Sequence, residues 1–261
     1  MFDRDLYFDA VRASLFSGSM SQRQVDGQND ILDVWERVPT VAPSIVLDLR
    51  WLAYMLATTY HETSKEMWPI EEYGKGSGQP YGVKDKETGQ TYYGRGYVQL
   101  TWRENYHRAA IELGLSGEED IEWHAHMALD GVIAARVMFR GMYYGWFRKD
   151  DKGPQTLPRY FGPSADDPYM AREIINGDKH KIPSWSNGVS IGNLIQGYHD
   201  KFLEALETSF IKEPPAPEPE PSEDVLGYTV RMSANAVAFD IQLAPGVAIA
   251  IKVNDSDWQP S

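Results

Sequence analysis

Residues 213–224 read EPPAPEPEPSED. Proline lacks a backbone donor and fixes φ, and the carboxylates set among the prolines repel one another, so this stretch can join no helix, ladder or core. It reads as an extended, solvated linker. It divides the 261 residues into a globular part, 1–212, a Pro/acidic linker, 213–225, and a short remainder, 226–261. The remainder carries β-like runs at 228–232 with 236–243 and at 247–253, with Pro245-Gly246 as a turn signal between the last two. A segment of about 35 residues without disulfide or metal is marginal as a free domain. This small β tail is therefore expected to dock on the main domain or a partner, or to associate with copies of itself.

Before the linker, apolar residues recur mainly at helical spacing. Asp3 can cap a helix carrying Leu6, Tyr7, Val11 and Leu15, and Ser21 with Gln24 forms a capping box before Val25, Ile31, Leu32 and Trp35. A third helix is predicted from near Ser44, after Pro43, through Leu52, Met55, Leu56 and Thr59, ending at His61 and Glu62. Residues 73–91 are rich in glycine, with Asp, Lys and Pro, and read as loops and tight turns. Val98 and Leu100 alternate with Gln99 and Thr101, which predicts a small β-hairpin lobe. Helical patterning resumes at 105–113, 132–144 and 170–175. A last helix carries Ile191, Leu194, Ile195, Tyr198, Phe202, Leu206 and Phe210. The predicted fold is mainly α with this small hairpin lobe.

Several function classes are disfavoured by composition. A formal net charge of −13 and the lack of any basic run argue against nucleic acid as a partner. There is no cysteine, which removes disulfides, thiolate nucleophiles and thiolate metal sites. No run of 18 apolar residues predicts membrane insertion. The first 20 residues lack the basic head and apolar run of a signal peptide, so the expected product is cytoplasmic. His61-Glu62 opens like a zinc-protease motif, but Lys65 stands where the second histidine belongs. His124 and His126 have no further ligands at metal spacing, and no metal or other cofactor is expected. Gly74, Gly76 and Gly78 do not complete a phosphate-binding loop.

The densest polar constellation lies between His61 and Tyr106. Glu62 ends a strongly patterned helix, and Glu71 and Glu72 follow in WPIEEYG. A helix end and a loop can set two carboxyls across a groove, as glycoside hydrolysis requires: one protonated to release the leaving oxygen, one ionised to activate water or form a covalent bond. Tyr92, Tyr93, Arg95, Gln99, Thr101 and Asn105 supply stacking faces and polar donors nearby. Arg95, between two glycines, is either a substrate contact or an internal ion-pair partner that pins the hairpin. The 15 Tyr, 9 Phe and 8 Trp fit a sugar-stacking surface and an ordinary aromatic core alike.

Three motifs in order carry a family resemblance: Tyr60-His61-Glu62-Thr63, then the run YYGRGYVQLTW at 92–102, then Asn105-Tyr106. Together they resemble the signature of family 19 glycoside hydrolases, the plant-type chitinases and related bacterial and phage lysins. Ile174-Ile175-Asn176-Gly177 resembles the family's late Ile-Asn-Gly motif. The resemblance spans roughly residues 1–210 and leaves the tail uncovered. It implies a lysozyme-like α+β domain with its cleft between lobes. The loop with the second carboxylate is shorter than in plant chitinases, as in bacterial and phage members.

The resemblance further implies inverting hydrolysis of β-1,4 bonds in a GlcNAc-containing polymer. Glu62 is then the general acid and Glu72 the base, with Glu71 its close competitor. Thr101 is expected to help hold the attacking water, and His61, Tyr92, Tyr93, Arg95, Gln99, Asn105 and Asn176 to bind sugar or shape the groove. Glu62 is expected to be kept protonated by apolar neighbours such as Met55 or Trp68 and by the second carboxylate. Peptidoglycan is favoured over chitin, because neither a secretion signal nor a Cys-rich chitin-binding module is present. The expected product is an endolysin-like enzyme, made in the cytoplasm and acting on the wall after holin-dependent release or delivery on a phage particle. Two other readings stay open: a non-catalytic glycan-binding protein and a phage-particle component.

Overall fold

In the computed structural model the structure describes residues 1–211; the expectations for the linker and the β tail lie outside them. The described residues form a mainly α domain of seven helices and three two-stranded antiparallel ribbons. The helices are α1 (Arg4–Leu15), α2 (Gln22–Val41), α3 (Leu49–Glu62), α4 (Arg103–Leu113), α5 (Gly131–Tyr144), α6 (Leu157–Tyr160) and α7 (Ile191–Ser209). The strands are β1 (Ile70–Glu71), β2 (Arg95–Gly96), β3 (Lys149–Asp150), β4 (Gly153–Pro154), β5 (Phe161–Gly162) and β6 (Ala165–Asp166).

The helix starts follow their caps. The Asp3 carboxylate accepts from the Leu6 N–H at 3.0 Å, and both arms of the Ser21/Gln24 capping box are present. α3 begins at Leu49, five residues later than Ser44. Asp48 is the stronger cap, because its carboxylate accepts from the Arg50 N–H at 3.0 Å and also takes the Arg50 guanidinium.

α3 is the central element. Trp51 to Tyr60 are all buried, so the helix is enclosed on every side and packs on α7, which in turn packs on α1. Leu52, Met55, Leu56, Phe202 and Leu206 are essentially sealed from solvent, each contributing about 1.5–3 kcal/mol by burial. His61 and Glu62 are the first α3 residues after Trp51 to leave this core. The chain ends of the described region meet: Phe2 and Phe210 bridge with ring centroids 5.4 Å apart, and the Asp3 N–H donates to the Ser209 carbonyl at 2.8 Å.

A second apolar cluster, including Tyr92, Leu100, Tyr106, Ile121, Ile133 and Val137, supports the β1–β2 lobe from beneath. The pairing is Ile70 with Gly96 and Glu71 with Arg95. The alternation at Val98 to Thr101 is not an extended strand. Gln99 and Trp102 take left-handed φ values of 55° and 75°, and the chain turns so that Leu100 bridges back to Arg95. Alternating burial here comes from a turn laid over the second cluster. The 170–175 patterning is a 3-10 turn, Met170–Ile174, not an α-helix.

Candidate active site

Glu62 sits where α3 emerges from the core. Its side chain retains 17% exposure, and its carboxylate accepts from the guanidinium of Arg172, which is itself 2% exposed. Arg172 also donates from Nε to Asp178 Oδ1 at 2.6 Å and from Nη2 to Oδ2 at 3.2 Å. One buried cation thus bridges two carboxylates from the same solvent-facing rim. Burial alone would raise the Asp178 carboxyl, but the hydrogen bond and charge of Arg172 hold it below the usual range. Burial first, then the Arg172 charge, lowers the His61 imidazole, which favours its neutral form.

The immediate partner of Glu62 is therefore a charged group, in place of the apolar neighbours expected from sequence. Met55 belongs to the sealed core, and Trp68 lies beneath the Arg23 guanidinium, 5.4 Å from its ring centroid. Arg172 and Asp178 were not singled out from sequence. They flank the Ile-Ile-Asn-Gly motif, and an arginine set among the apolar residues Met170, Ala171, Ile174 and Ile175 was the available signal.

The segment after Glu62 is tightly held. Ser64, Lys65 and Met67 adopt left-handed φ values of 52°, 73° and 52°, each unfavourable by roughly 1–2 kcal/mol for an L-residue. The buried Thr63 compensates. Its hydroxyl donates to the Thr59 carbonyl at 2.7 Å and accepts from the Met67 N–H at 3.0 Å. Lys65 N–H donates to the Tyr60 carbonyl at 2.8 Å, and Gln24 Nε2 donates to the Lys65 carbonyl at 3.0 Å. Gly27 of α2 lets this segment approach, since a Cβ there would run into the Met67 carbonyl. Tyr97 donates to the Gly27 carbonyl at 3.0 Å and so fastens the β1–β2 lobe to the same helix.

Glu71 and Glu72 leave this segment in different surroundings. The Glu71 carboxylate accepts from the Tyr93 hydroxyl at 2.5 Å, pairs with Lys75 at 2.7 Å and lies 3.8 Å from Arg95 Nε. Hydrogen bonds from Lys75 and Tyr93 hold it below the ordinary carboxylate range, so it is ionised at neutral pH. Glu72 accepts from the Tyr81 hydroxyl and from the Gly94 N–H, both at 3.1 Å. Tyr81 meets Trp102 edge-on at 5.0 Å, and Trp102 is 45% exposed. This aromatic pair beside a carboxylate, of the kind that can stack on a sugar ring, was not singled out from sequence.

Other residues named from sequence divide by position. Tyr92 is 3% exposed and donates to the Glu122 carbonyl at 2.7 Å, so its ring supports the lobe from inside and offers no face to a sugar. Arg95 is buried, with its guanidinium 3.6 Å from the Tyr93 ring centroid and Nη1 donating to the Thr91 carbonyl at 2.8 Å. It takes the internal pinning position. Gln99 Nε2 donates to the Ile70 and Gly96 carbonyls at 3.1 and 3.3 Å, tying the two strands together. Thr101 donates to the Gln99 carbonyl and Asn105 to the Thr101 carbonyl, both at 2.8 Å. Asn176 is exposed, its N–H donating to the Arg172 carbonyl at 2.9 Å.

No family model and no curated protein sequence matches this chain. Solved structures similar to it include chitinase C from Streptomyces griseus, at 18% identity and a TM-score of 0.49, covering 79% of this chain and 76% of that one. A bacterial family 19 chitinase is similar at 18% identity and a TM-score of 0.43, covering 78% and 94%. A family 19, class IV chitinase from Zea mays is similar at 19% identity and a TM-score of 0.45, covering 78% and 94%.

Proposed function

We propose that this chain is a glycoside hydrolase that cleaves β-1,4 bonds in peptidoglycan, with Glu62 as general acid and Glu71 or Glu72 as the carboxylate that activates water. The observation that carries this reading is the Glu62–Arg172–Asp178 array at the mouth of α3. When Glu62 holds its proton, Arg172 and Asp178 form a neutral pair by themselves. When Glu62 gives its proton to the leaving oxygen, the guanidinium already beside it stabilises the new carboxylate, so no group need move to meet that charge. The Thr63 hydrogen bonds and the Gly27 contact support a fixed spacing between this acid and the β1–β2 lobe.

Glu71 is ionised but engaged on three sides, whereas Glu72 is held by a hydroxyl and one backbone N–H beside an exposed tryptophan. The second environment leaves more room for a water and a sugar, which favours Glu72 as base. The Thr101 hydroxyl donates to a carbonyl and so keeps its acceptor capacity for a water proton. A water placed between acid and base attacks the anomeric carbon opposite the departing oxygen. The new C–O bond forms as the glycosidic bond breaks, with inversion of configuration; Glu62 ends deprotonated and the base protonated.

We take peptidoglycan rather than chitin as the polymer cleaved. The test is the appearance of reducing ends from purified peptidoglycan and from soluble chitin oligomers. Faster release from peptidoglycan is expected. Faster release from chitin oligomers would transfer the reading to a chitinase, and none from either would transfer it to glycan binding or particle assembly.

A further inference from the structure

Beside the acid, Tyr60, His61, Ser64, Lys65, Trp185 and Tyr198 line a pocket of ≈ 270 Å³. His61 and Glu62 are consecutive on α3, so their side chains depart about 100° apart and the pocket flanks the acid. The volume lies just below the roughly 300–1,000 Å³ of sites that enclose a drug-sized ligand. It suits a short appendage better than a run of sugar rings.

The lining has a definite chemistry. Trp185 is 63% exposed, its ring centroid 6.5 Å from that of His61, while Tyr198 packs edge-on against Tyr60 at 4.7 Å. The Lys65 ammonium lies 5.7 Å from the Tyr60 ring centroid. Among the described residues no acidic side chain lines the pocket itself, in a chain whose net charge is −13; the nearest carboxylates acting on its lining are Glu62 and Asp178, which Arg172 pairs. His61 is kept toward its neutral form, which leaves Lys65 as the cation of the lining. The left-handed backbone at Lys65 is fixed by the Tyr60 and Gln24 hydrogen bonds, so the stem of this lysine starts from a defined place.

An uncharged GlcNAc polymer gains nothing from a cation three residues beyond the acid. A polymer whose alternate sugars carry peptide stems does, because those stems bear free carboxylates on aliphatic backbones. We infer that this pocket is a subsite for the peptide stem of peptidoglycan, with Lys65 pairing a stem carboxylate and Trp185 and Tyr198 covering its aliphatic part. The inference rests on the hydrolase reading of Glu62 and extends it to substrate choice.

The test is calorimetric titration of the full-length Glu62→Gln protein with two glycans. One is a soluble peptidoglycan tetrasaccharide bearing tetrapeptide stems; the other is the same glycan after an amidase has removed them. The stem-bearing glycan is expected to bind about tenfold more tightly, the scale of one charge-assisted hydrogen bond. Lys65→Asn, chosen because asparagine tolerates the left-handed backbone, and Trp185→Ala, at an exposed position, should each remove most of that difference. Equal affinity for both glycans, no binding of either, or a preference that survives both substitutions would overturn the subsite. Failure of the hydrolase reading is read separately, as wild-type protein that binds these glycans but releases no reducing ends.

Discussion

Replacing Arg172 with methionine keeps most of the stem's volume and removes the charge that two carboxylates share. Arg172 is 2% exposed, while the Glu62 and Asp178 side chains keep 17% and 23% of their surface. Removing one partner of a buried pair costs roughly 3–5 kcal/mol, because the remaining charge stays desolvated. Partial exposure lets water reach the orphaned carboxylates, so the lower end applies, about 3 kcal/mol. The loss depends on pH with a definite sign. In the wild type the Asp178 carboxyl is held below its unfolded value of about 3.9 by Arg172 against burial. It therefore contributes stability that is present above that value and lost as pH falls through the folded value. In the variant burial is opposed only by the His61 charge and a backbone hydrogen bond, and protonation relieves the penalty. Urea unfolding followed by tryptophan fluorescence should show the full gap near pH 7 and a clearly smaller one near about pH 4. A gap below about 1 kcal/mol at neutral pH, or one that does not narrow in acid, would refute the reasoning. Adding Asp178→Asn to the variant should recover part of the loss.

Other substitutions probe how the acid is spaced from the lobe. Gly27→Ala drives a methyl into the Met67 backbone carbonyl; a loss of roughly 1–3 kcal/mol is expected in urea unfolding, with a fall in rate. Thr63→Val keeps shape but strands the buried Met67 N–H, so about 1–3 kcal/mol should be lost; unchanged stability would mean the segment is held otherwise. Glu72→Gln should slow peptidoglycan cleavage by about a hundredfold or more, and Glu71→Gln by less, as judged by reducing-end release. The reverse order would assign the base to Glu71.

The helical frame was readable because its signals are local. Asp3, the Ser21/Gln24 box and the apolar spacing through α3 and α7 each act within a few residues, and the structure has them in place. The later start of α3 turned on which of two caps was better served, and Asp48 had the arginine two residues on. The Val98–Thr101 alternation misled because a turn over an apolar cluster alternates burial as a strand does. The site was legible only as far as its motifs are contiguous. Arg172 reaches Glu62 across 110 residues, and Trp185 reaches His61 across the same fold, neither of which spacing can show. Tyr92 illustrates the converse: its place in a motif drew it toward the sugar, whereas its packing sends it inward.

The most direct measurement compares reducing-end release from purified peptidoglycan by the wild type and by Glu62→Gln at equal protein concentration, with thermal unfolding of both recorded alongside. An acid that donates to the leaving oxygen predicts a loss of at least about a hundredfold in the variant, with unfolding little changed. A variant that folds and cleaves at the wild-type rate would contradict the account.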